Sequence, residues 1–197
     1  MNGENALPAL LDGIRQGDES AFRQLYEQTK SRVFTLSLSY ARNAEDAEEI
    51  TQDVFLEVFR SAHAFKGESS VLTWLYRIAV NKSLDFLKHQ KRQKRFAFLT
   101  SLFDTRTGET LHHPPDFYHP GVALEDQERA ALLYRAIDKL PEKQKTAYIL
   151  TRIEGLSNPE AARIMTSSVG AVESLQQRAI ANLKSELAAT YNDLINP

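Results

Sequence analysis

Apolar residues recur along this chain at helical spacing, and the elements they predict are all helices. Residues 8–16 form a short first helix ended near Gly17. Asp18 is a good N-cap for a second, where Ala21, Phe22, Leu25 and Tyr26 share a face that Val33, Phe34, Leu36 and Leu38 continue. Asn43 caps a third, with Ala47, Ile50, Val54 and Val58 facing inward. The stretch from Phe65 to Lys88 opens with a loop signal at Gly67 and Ser69-Ser70 and runs on as one helix with two opposed faces. At roughly 100° per residue, Leu72, Leu75, Tyr76, Ala79, Val80, Phe86 and Leu87 gather on one side. Trp74, Arg77, Asn81, Asp85 and Lys88 gather on the other, outside the apolar stripe. The pattern breaks after Arg95 and resumes at Leu124.

The second run of helices has sharper punctuation. Leu140-Pro141-Glu142 reads as a break with Pro at a helix start, and Lys143 to Glu154 as a helix closed by Gly155. Ser157-Asn158-Pro159-Glu160 is a capping box opening a short helix through Met165. Thr166-Ser167-Ser168 makes a turn, and a last helix starts at about Val169 with Val172, Leu175, Ala179 and Leu183 inward. Helix, Gly, capped short helix, three-residue turn and longer helix is the helix-turn-helix outline. Opposite the inward stripe lie Gly170, Ser174, Gln177, Arg178, Ala181 and Lys184. Ser174, Gln177 and Arg178 can bond base edges or phosphates, and the small Gly170 and Ala171 permit close approach. Glu173 cuts the other way, because phosphate repels an acid unless it accepts from a cytosine amino group.

Composition supports an all-α reading: only 8 Gly and 7 Pro among 197 residues, 42% hydrophobic and 25% charged. No apolar run approaches the ~20 residues of a membrane helix, and Met1–Leu11 carries Glu4 and no Lys or Arg, unlike a secretory signal. The absence of cysteine excludes disulfides and thiolate metal sites and suits a reducing cytoplasm.

Charge changes the picture more. The net charge of −2 hides strong polarity along the chain. Residues 45–57 carry six acids and no base, and residues 82–95 carry six Lys or Arg against one Asp. Asp46, Glu49, Asp53 and Glu57 form a stripe whose members repel one another, a cost that a basic partner offsets. Trp74 beside Arg77, Asn81 and Lys88, extended by the basic run from Lys88 to Arg95, is suited to stacking on bases and holding phosphates. A protein that binds DNA alone is normally basic, since phosphate contacts supply much of the affinity. In an acidic chain the simplest resolution is a second protein that supplies the electrostatic grip.

Residues 96–123 read as a linker too long for a passive loop. They hold His112, His113, Asp116 and His119, but Pro114-Pro115 rules out a helical register for metal ligation, and no metal or cofactor is expected.

In combination, Asp18-Glu19-Ser20-Ala21-Phe22, the run from Ala44 to Phe55, Phe65-Lys66-Gly67-Glu68-Ser69 with Thr73-Trp74-Leu75-Tyr76-Arg77-Ile78-Ala79, Leu140-Pro141-Glu142-Lys143-Gln144 with Glu154-Gly155-Leu156-Ser157, and Ser168 to Leu175 resemble the minimal two-domain ECF group of bacterial sigma factors. The resemblance covers roughly Asp18 to Arg95 and Leu133 to Leu187. It implies two helical domains joined by a long flexible linker: a region 2 domain over 1–95, a linker over 96–123 and a region 4 helix-turn-helix domain over 124–197. It implies a non-enzymatic, cytoplasmic promoter-recognition subunit of RNA polymerase. The acidic helix would dock on the β′ clamp helices through Asp46, Glu49, Gln52, Asp53 and Glu57, and the second domain would meet the β flap. The −10 element would be melted and held by Phe65, Lys66, Gly67, Ser69, Ser70, Thr73, Trp74, Arg77, Asn81, Lys82, Lys88, Lys91 and Arg92, with a flipped base in the loop from Phe65 to Ser70. The −35 element would be read by Ser168, Gly170, Ala171, Glu173, Ser174, Gln177, Arg178 and Lys184. The linker would thread the polymerase near its active centre. With no substantial extra domain at either end, sensing would fall to an anti-sigma factor. The chain departs from the family's usual pattern at Ala161-Ala162, at Glu173, and at Lys88-His89, which is less Arg-rich than in many members.

Two other readings stand beside this one. A stand-alone helix-turn-helix regulator would bind a symmetric operator without polymerase, but the chain has no evident dimerisation stripe and no use for Trp74. A helical enzyme would have only the linker histidines as a foothold.

Overall fold

The computed structural model describes residues 6–103 and 124–195, with side chains over 6–96 and 130–189. The chain divides into two compact units, Met1–Tyr118 and His119–Pro197, and every described element is helical. The linker histidines lie outside the described residues.

In the first unit, α1 (Leu7–Arg15) starts with Pro in its first turn and buries Leu7, Leu11 and Ile14. Gly17 takes a left-handed φ of 83°, turning the chain into α2 (Glu19–Ala41). The Asp18 carboxylate accepts from the N–H of Ser20 at 2.8 Å and of Ala21 at 3.3 Å. Asn43 does the same for α3 (Ala44–Ser61), accepting from Glu45 at 2.7 Å and Asp46 at 3.2 Å. Glu45 and Asp46 in that first turn also suit the positive end of the helix dipole. The inward stripe of α3 is as expected: Ala47, Ile50, Val54 and Val58 are essentially inaccessible. Each large aliphatic among them contributes about 1.5–3 kcal/mol by leaving water. A short 3-10 turn, Ala62–Ala64, leads to the loop before α4 (Val71–Phe103).

Two expectations about α4 need correction. The helix does not stop at Arg95 but runs on through Phe103, past the point where the apolar pattern breaks. The basic run from Lys88 to Arg95 is largely exposed and rich in good helix formers, so the helix passes through it without a break. The helix also lacks a cleanly polar side at its start. Val71, Thr73, Leu75, Tyr76, Ala79, Val80 and Ser83 are buried, and Trp74 and Arg77 are half-buried. The reason is position: α4 packs against α1, α2 and α3, so neighbours cover more of its circumference than a two-faced helix presents to its core.

In the second unit, α5 (Leu124–Asp138) and α6 (Glu142–Tyr148) pack on α8 (Val169–Ile195). Ala136, Ile137, Leu140, Ala179 and Leu183 form one cluster, with Tyr134, Tyr148 and Ile153 against it. The helix expected over 143–154 does run from Glu142, but its second half, Ile149–Ile153, is a wide π turn, with Glu154 N–H donating to the Ile149 carbonyl at 2.9 Å. Gly155 then takes a φ of 69°. In α7 (Asn158–Ile164) the capping box is complete: the Ser157 hydroxyl accepts from Glu160 N–H, and the Glu160 carboxylate accepts from Ser157 N–H at 2.8 Å. Ala161 and Ala162 are buried, so small side chains bring α7 close to its neighbours.

Candidate polymerase and nucleic-acid interfaces

The acidic stripe of α3 divides in two. Glu49, Gln52 and Asp53 are exposed, whereas Asp46 and Glu57 are partly covered by α4. Glu57 pairs with Lys82 at 3.0 Å, and Asp46 accepts from the Gln90 side chain at 3.3 Å. Antiparallel packing brings the acidic helix and the basic run of α4 together at both ends of the stripe. Partial burial raises the Asp46 carboxyl above the ordinary aspartate range, although Gln90 and the charge of Lys94 act in the opposite direction.

Next to the exposed acids is an apolar surface that the sequence reading missed. Leu56 and Phe59 are 51% and 57% exposed. Phe59 meets Phe22 edge-on at 5.7 Å, and Phe55 meets Tyr26 at 4.7 Å, so aromatic rings from α2 and α3 interlock beneath this patch. The available signal was negative: Leu56 and Phe59 fall off the inward stripe of α3. A cleft of about 500 Å³ between α2 and α3, lined by Tyr26, Lys30, Phe34, Glu48 and Gln52, continues the surface. An acidic rim around exposed apolar groups is suited to a protein partner with basic residues and an apolar centre.

The loop between α3 and α4 has a different character. Lys66, Gly67, Glu68 and Ser70 are exposed, and Gly67 has a φ of 76° that strains any side-chain-bearing residue. Ser70 caps α4, its hydroxyl accepting from Thr73 N–H at 3.0 Å and meeting the Thr73 hydroxyl at 2.8 Å. Thr73 is therefore buried in the cap rather than displayed. The Trp74 ring is half-buried and lies 5.1 Å from the Phe65 ring, at 46° to it. Asn81, Lys88, Lys91 and Arg92 are exposed further along α4, and Lys82 is held by Glu57. Exposed cations, a half-open aromatic pair and a constrained loop form a surface able to stack on bases and hold phosphates.

One residue of this site had no local signal. Arg15, at the end of α1, donates from Nε to the Ala62 carbonyl at 2.9 Å and from Nη2 to the Phe65 carbonyl. Its Nη1 bonds Asp12 at 2.7 Å, and its guanidinium carbon sits 5.9 Å from the centre of the Phe65 ring.

In the second unit, the Ser168 hydroxyl accepts from Ala171 N–H at 3.2 Å and so caps α8. Gly170, Glu173, Gln177, Arg178 and Lys184 are exposed, and Ala171 and Ser174 are half-buried. Arg178 donates to Ser174 at 2.8 Å, and Asn158 of α7 reaches Glu173 at 3.4 Å. Val172, Ala179 and Leu183 anchor the opposite face. The exposed side of α8 is thus a mainly polar ridge, with Gly170 and Ala171 near its N-terminal end and Val169 exposed beside them. Beneath it, Lys145 is buried and pairs with Asp138 at 2.7 Å, tying α6 to α5.

These features agree with what the chain is similar to. Residues 25–93 match the model of Sigma-70 region 2, and residues 130–183 that of Sigma-70, region 4. The chain is 34% identical to the ECF RNA polymerase sigma-E factor of Haemophilus influenzae over 84% of its own length and 87% of that protein's. It is 31% identical to the RNA polymerase sigma-H factor of Pseudomonas aeruginosa over 84% and 85% of the two lengths. Among solved structures, CnrH in complex with the cytosolic domain of CnrY matches with a TM-score of 0.62 and 26% identity, over 92% of this chain and 96% of that one. Two helical units carrying regions 2 and 4 define a sigma factor of the sigma-70 class. The chain belongs to the ECF RNA polymerase sigma factors. It is a transcription initiation factor, and among the described residues no helix is long and apolar enough to cross a membrane.

Proposed function

We propose that this sigma factor docks on the β′ clamp helices of core RNA polymerase through Glu49, Gln52 and Asp53, with Asp46 and Glu57 at the edge of that contact and the Leu56/Phe59 patch at its apolar centre. The loop from Phe65 to Ser70, with Trp74, Arg77 and Asn81, captures the non-template strand of the −10 element. Lys66, Lys88, Lys91 and Arg92 meet its phosphates, and Lys82 joins them where Glu57 releases it. Unstacking a base costs a few kcal/mol, which aromatic stacking in a constrained loop offsets. The N-terminal half of α8 reads the −35 element through Gln177 and Arg178, with Ser174, Glu173 and Lys184 beside them and Ser168, Gly170 and Ala171 close to the backbone, and the second unit meets the β flap. The protein works in the cytoplasm.

The observation that carries this reading is that one unit displays two surfaces of different character: exposed acids on α3, and an aromatic pair with exposed cations on the loop and α4. A chain of net charge −2 holds promoter DNA weakly by itself, so recognition depends on the polymerase. An anti-sigma factor is the regulator this reading includes, in keeping with the complexes of CnrH with CnrY and of the sigma factor RpoE with NepR from Bartonella quintana, the latter a likeness of fold at 22% identity. Run-off transcription tests the whole: purified protein with core enzyme starts transcripts at specific promoters, and core enzyme or protein alone does not. A folded protein that starts none, or that binds a symmetric operator tightly without polymerase, would favour the stand-alone regulator.

A further inference from the structure

Arg15 lies outside every motif that identifies this chain, yet its side chain bonds the carbonyls of Ala62 and Phe65 and lies against the Phe65 ring. The carbonyls of Ala62 and Phe65 lie at the end of α3 and its 3-10 turn, and that of Ala62 also accepts from Phe65 N–H at 3.3 Å. Nε and Nη2 form one edge of a planar guanidinium, so a single side chain grips both carbonyls at once. Asp12 fixes the plane from the other side through Nη1. The same guanidinium lies beside the ring of Phe65, and that ring packs on Trp74. A continuous series of contacts thus runs from Asp12 through Arg15 and Phe65 to Trp74, joining α1 to the first turn of α4. Beyond it, Lys66 to Glu68 are exposed, and Gly67 turns the chain with a φ of 76°.

We propose that Arg15 is a positioning residue for promoter opening: it holds the Phe65 backbone and ring in the geometry that receives an unpaired base. The proposal rests on the reading of the Phe65–Ser70 loop given above. Lysine offers charge and three donors, but all on one nitrogen and without the planar fork that holds two carbonyls and Asp12 in fixed directions. An untethered loop orders only on capture, which weakens binding and blurs selectivity, since wrong bases fit a mobile pocket nearly as well as right ones. Arg15 is not part of the exposed surface of Glu49, Gln52 and Asp53, so polymerase docking does not depend on it.

The test uses the full chain assembled with core polymerase. The probes are a labelled single-stranded oligonucleotide carrying the −10 non-template strand of a promoter the holoenzyme transcribes, and the same strand with its key −10 base replaced. Arg15→Met is expected to weaken cognate capture about ten-fold and to shrink the cognate preference toward unity, with Arg15→Lys intermediate and core affinity within two-fold of the parent. Trp74 is the single tryptophan, and its emission in the free protein should shift to the red in Arg15→Met as Phe65 loosens from it. Unchanged capture, selectivity and emission in a folded Arg15→Met protein would overturn the proposal. So would an equal loss of core binding and DNA capture, which marks a merely structural role. If Arg15→Met fails to fold, Arg15→Lys decides by the same ratios. Trp74→Ala separates the two levels: capture that needs Trp74 but not Arg15 overturns this proposal alone, whereas capture indifferent to Trp74 overturns the loop reading and the proposal with it.

Discussion

Glu57 of α3 and Lys82 of α4 meet at 3.0 Å, joining the acidic surface of the first unit to its basic one. Each side chain is about one-third exposed, at 35% and 31%, so the pair is screened and is worth well under about 1 kcal/mol. Its interest is functional, because a charge held within the protein is not available to a partner. Exchanging the two charges, Glu57→Lys with Lys82→Glu, should keep the melting temperature within a few degrees while lowering promoter opening at least five-fold. Thermal unfolding and an abortive-transcription assay give the two readouts. Glu57→Lys alone should unfold at lower temperature than the double variant, because it sets two cations side by side.

The exposed acids behave differently. Asp53→Lys and Glu49→Lys change no contact that supports the fold, so surface substitution should leave stability within about 0.5 kcal/mol. Core affinity should nevertheless fall by at least ten-fold in either variant, measured by competition for core enzyme. Affinity that survives both reversals would remove the clamp-helix assignment.

Two carboxyls give opposite pH dependences. Glu160 titrates below the ordinary glutamate range because the Ser157 hydroxyl and then the Ser157 backbone N–H donate to it. Its contribution to stability is therefore complete above the unfolded-state value of about 4.5 and is lost as pH falls through the lower folded value. Asp46 titrates above its ordinary range, mainly because burial disfavours its charge. Its ionised form opposes folding, a cost absent below the unfolded-state value of 3.8 and complete above the raised folded value. Asp46→Asn should flatten that part of the stability profile of the first unit, followed by Trp74 emission. Glu160→Gln should flatten the opposite slope in the second unit, followed by hydrogen exchange. Ser157→Ala should cost the second unit about 1 kcal/mol, as lost N-caps do.

Gly13 is a packing requirement rather than a turn. A Cβ added there would lie 2.7 Å from the Cβ of Ala21, so α1 and α2 cross too closely for a methyl group. Gly13→Ala gains about 1 kcal/mol of helix propensity but meets an overpacking cost of about 1–3 kcal/mol. Net destabilisation is expected, and Gly13→Ala with Ala21→Gly should recover much of it. Denaturant unfolding of the four proteins completes the cycle.

On α8, Arg178 and Gln177 are exposed and long enough to reach base edges. Substituting either by Ala should lower transcription from promoters that depend on the −35 element by about ten-fold. It should have less effect on a template with an unpaired −10 segment and no −35 element. Equal loss on both templates would argue against a −35 role.

The amino-acid sequence by itself determined the helices, their caps and the family. Asp18, Asn43 and Ser157 act on backbone groups two or three residues away, and the Ala47-Ile50-Val54-Val58 stripe depends only on helical period. Such interactions are local, so spacing reveals them. The same holds for the acidic and basic segments, which are legible as runs of charge. Tertiary structure decided which of those charges remain displayed, because antiparallel packing of α4 on α3 sets Glu57 against Lys82 and Asp46 against Gln90. It decided that Trp74 is half-covered, since neighbours on several sides of α4 and the Phe65 ring reach a position that periodicity alone leaves open. It alone showed Arg15, whose partners Ala62 and Phe65 are 47 and 50 residues away and are backbone carbonyls, groups every residue carries and no sequence pattern marks.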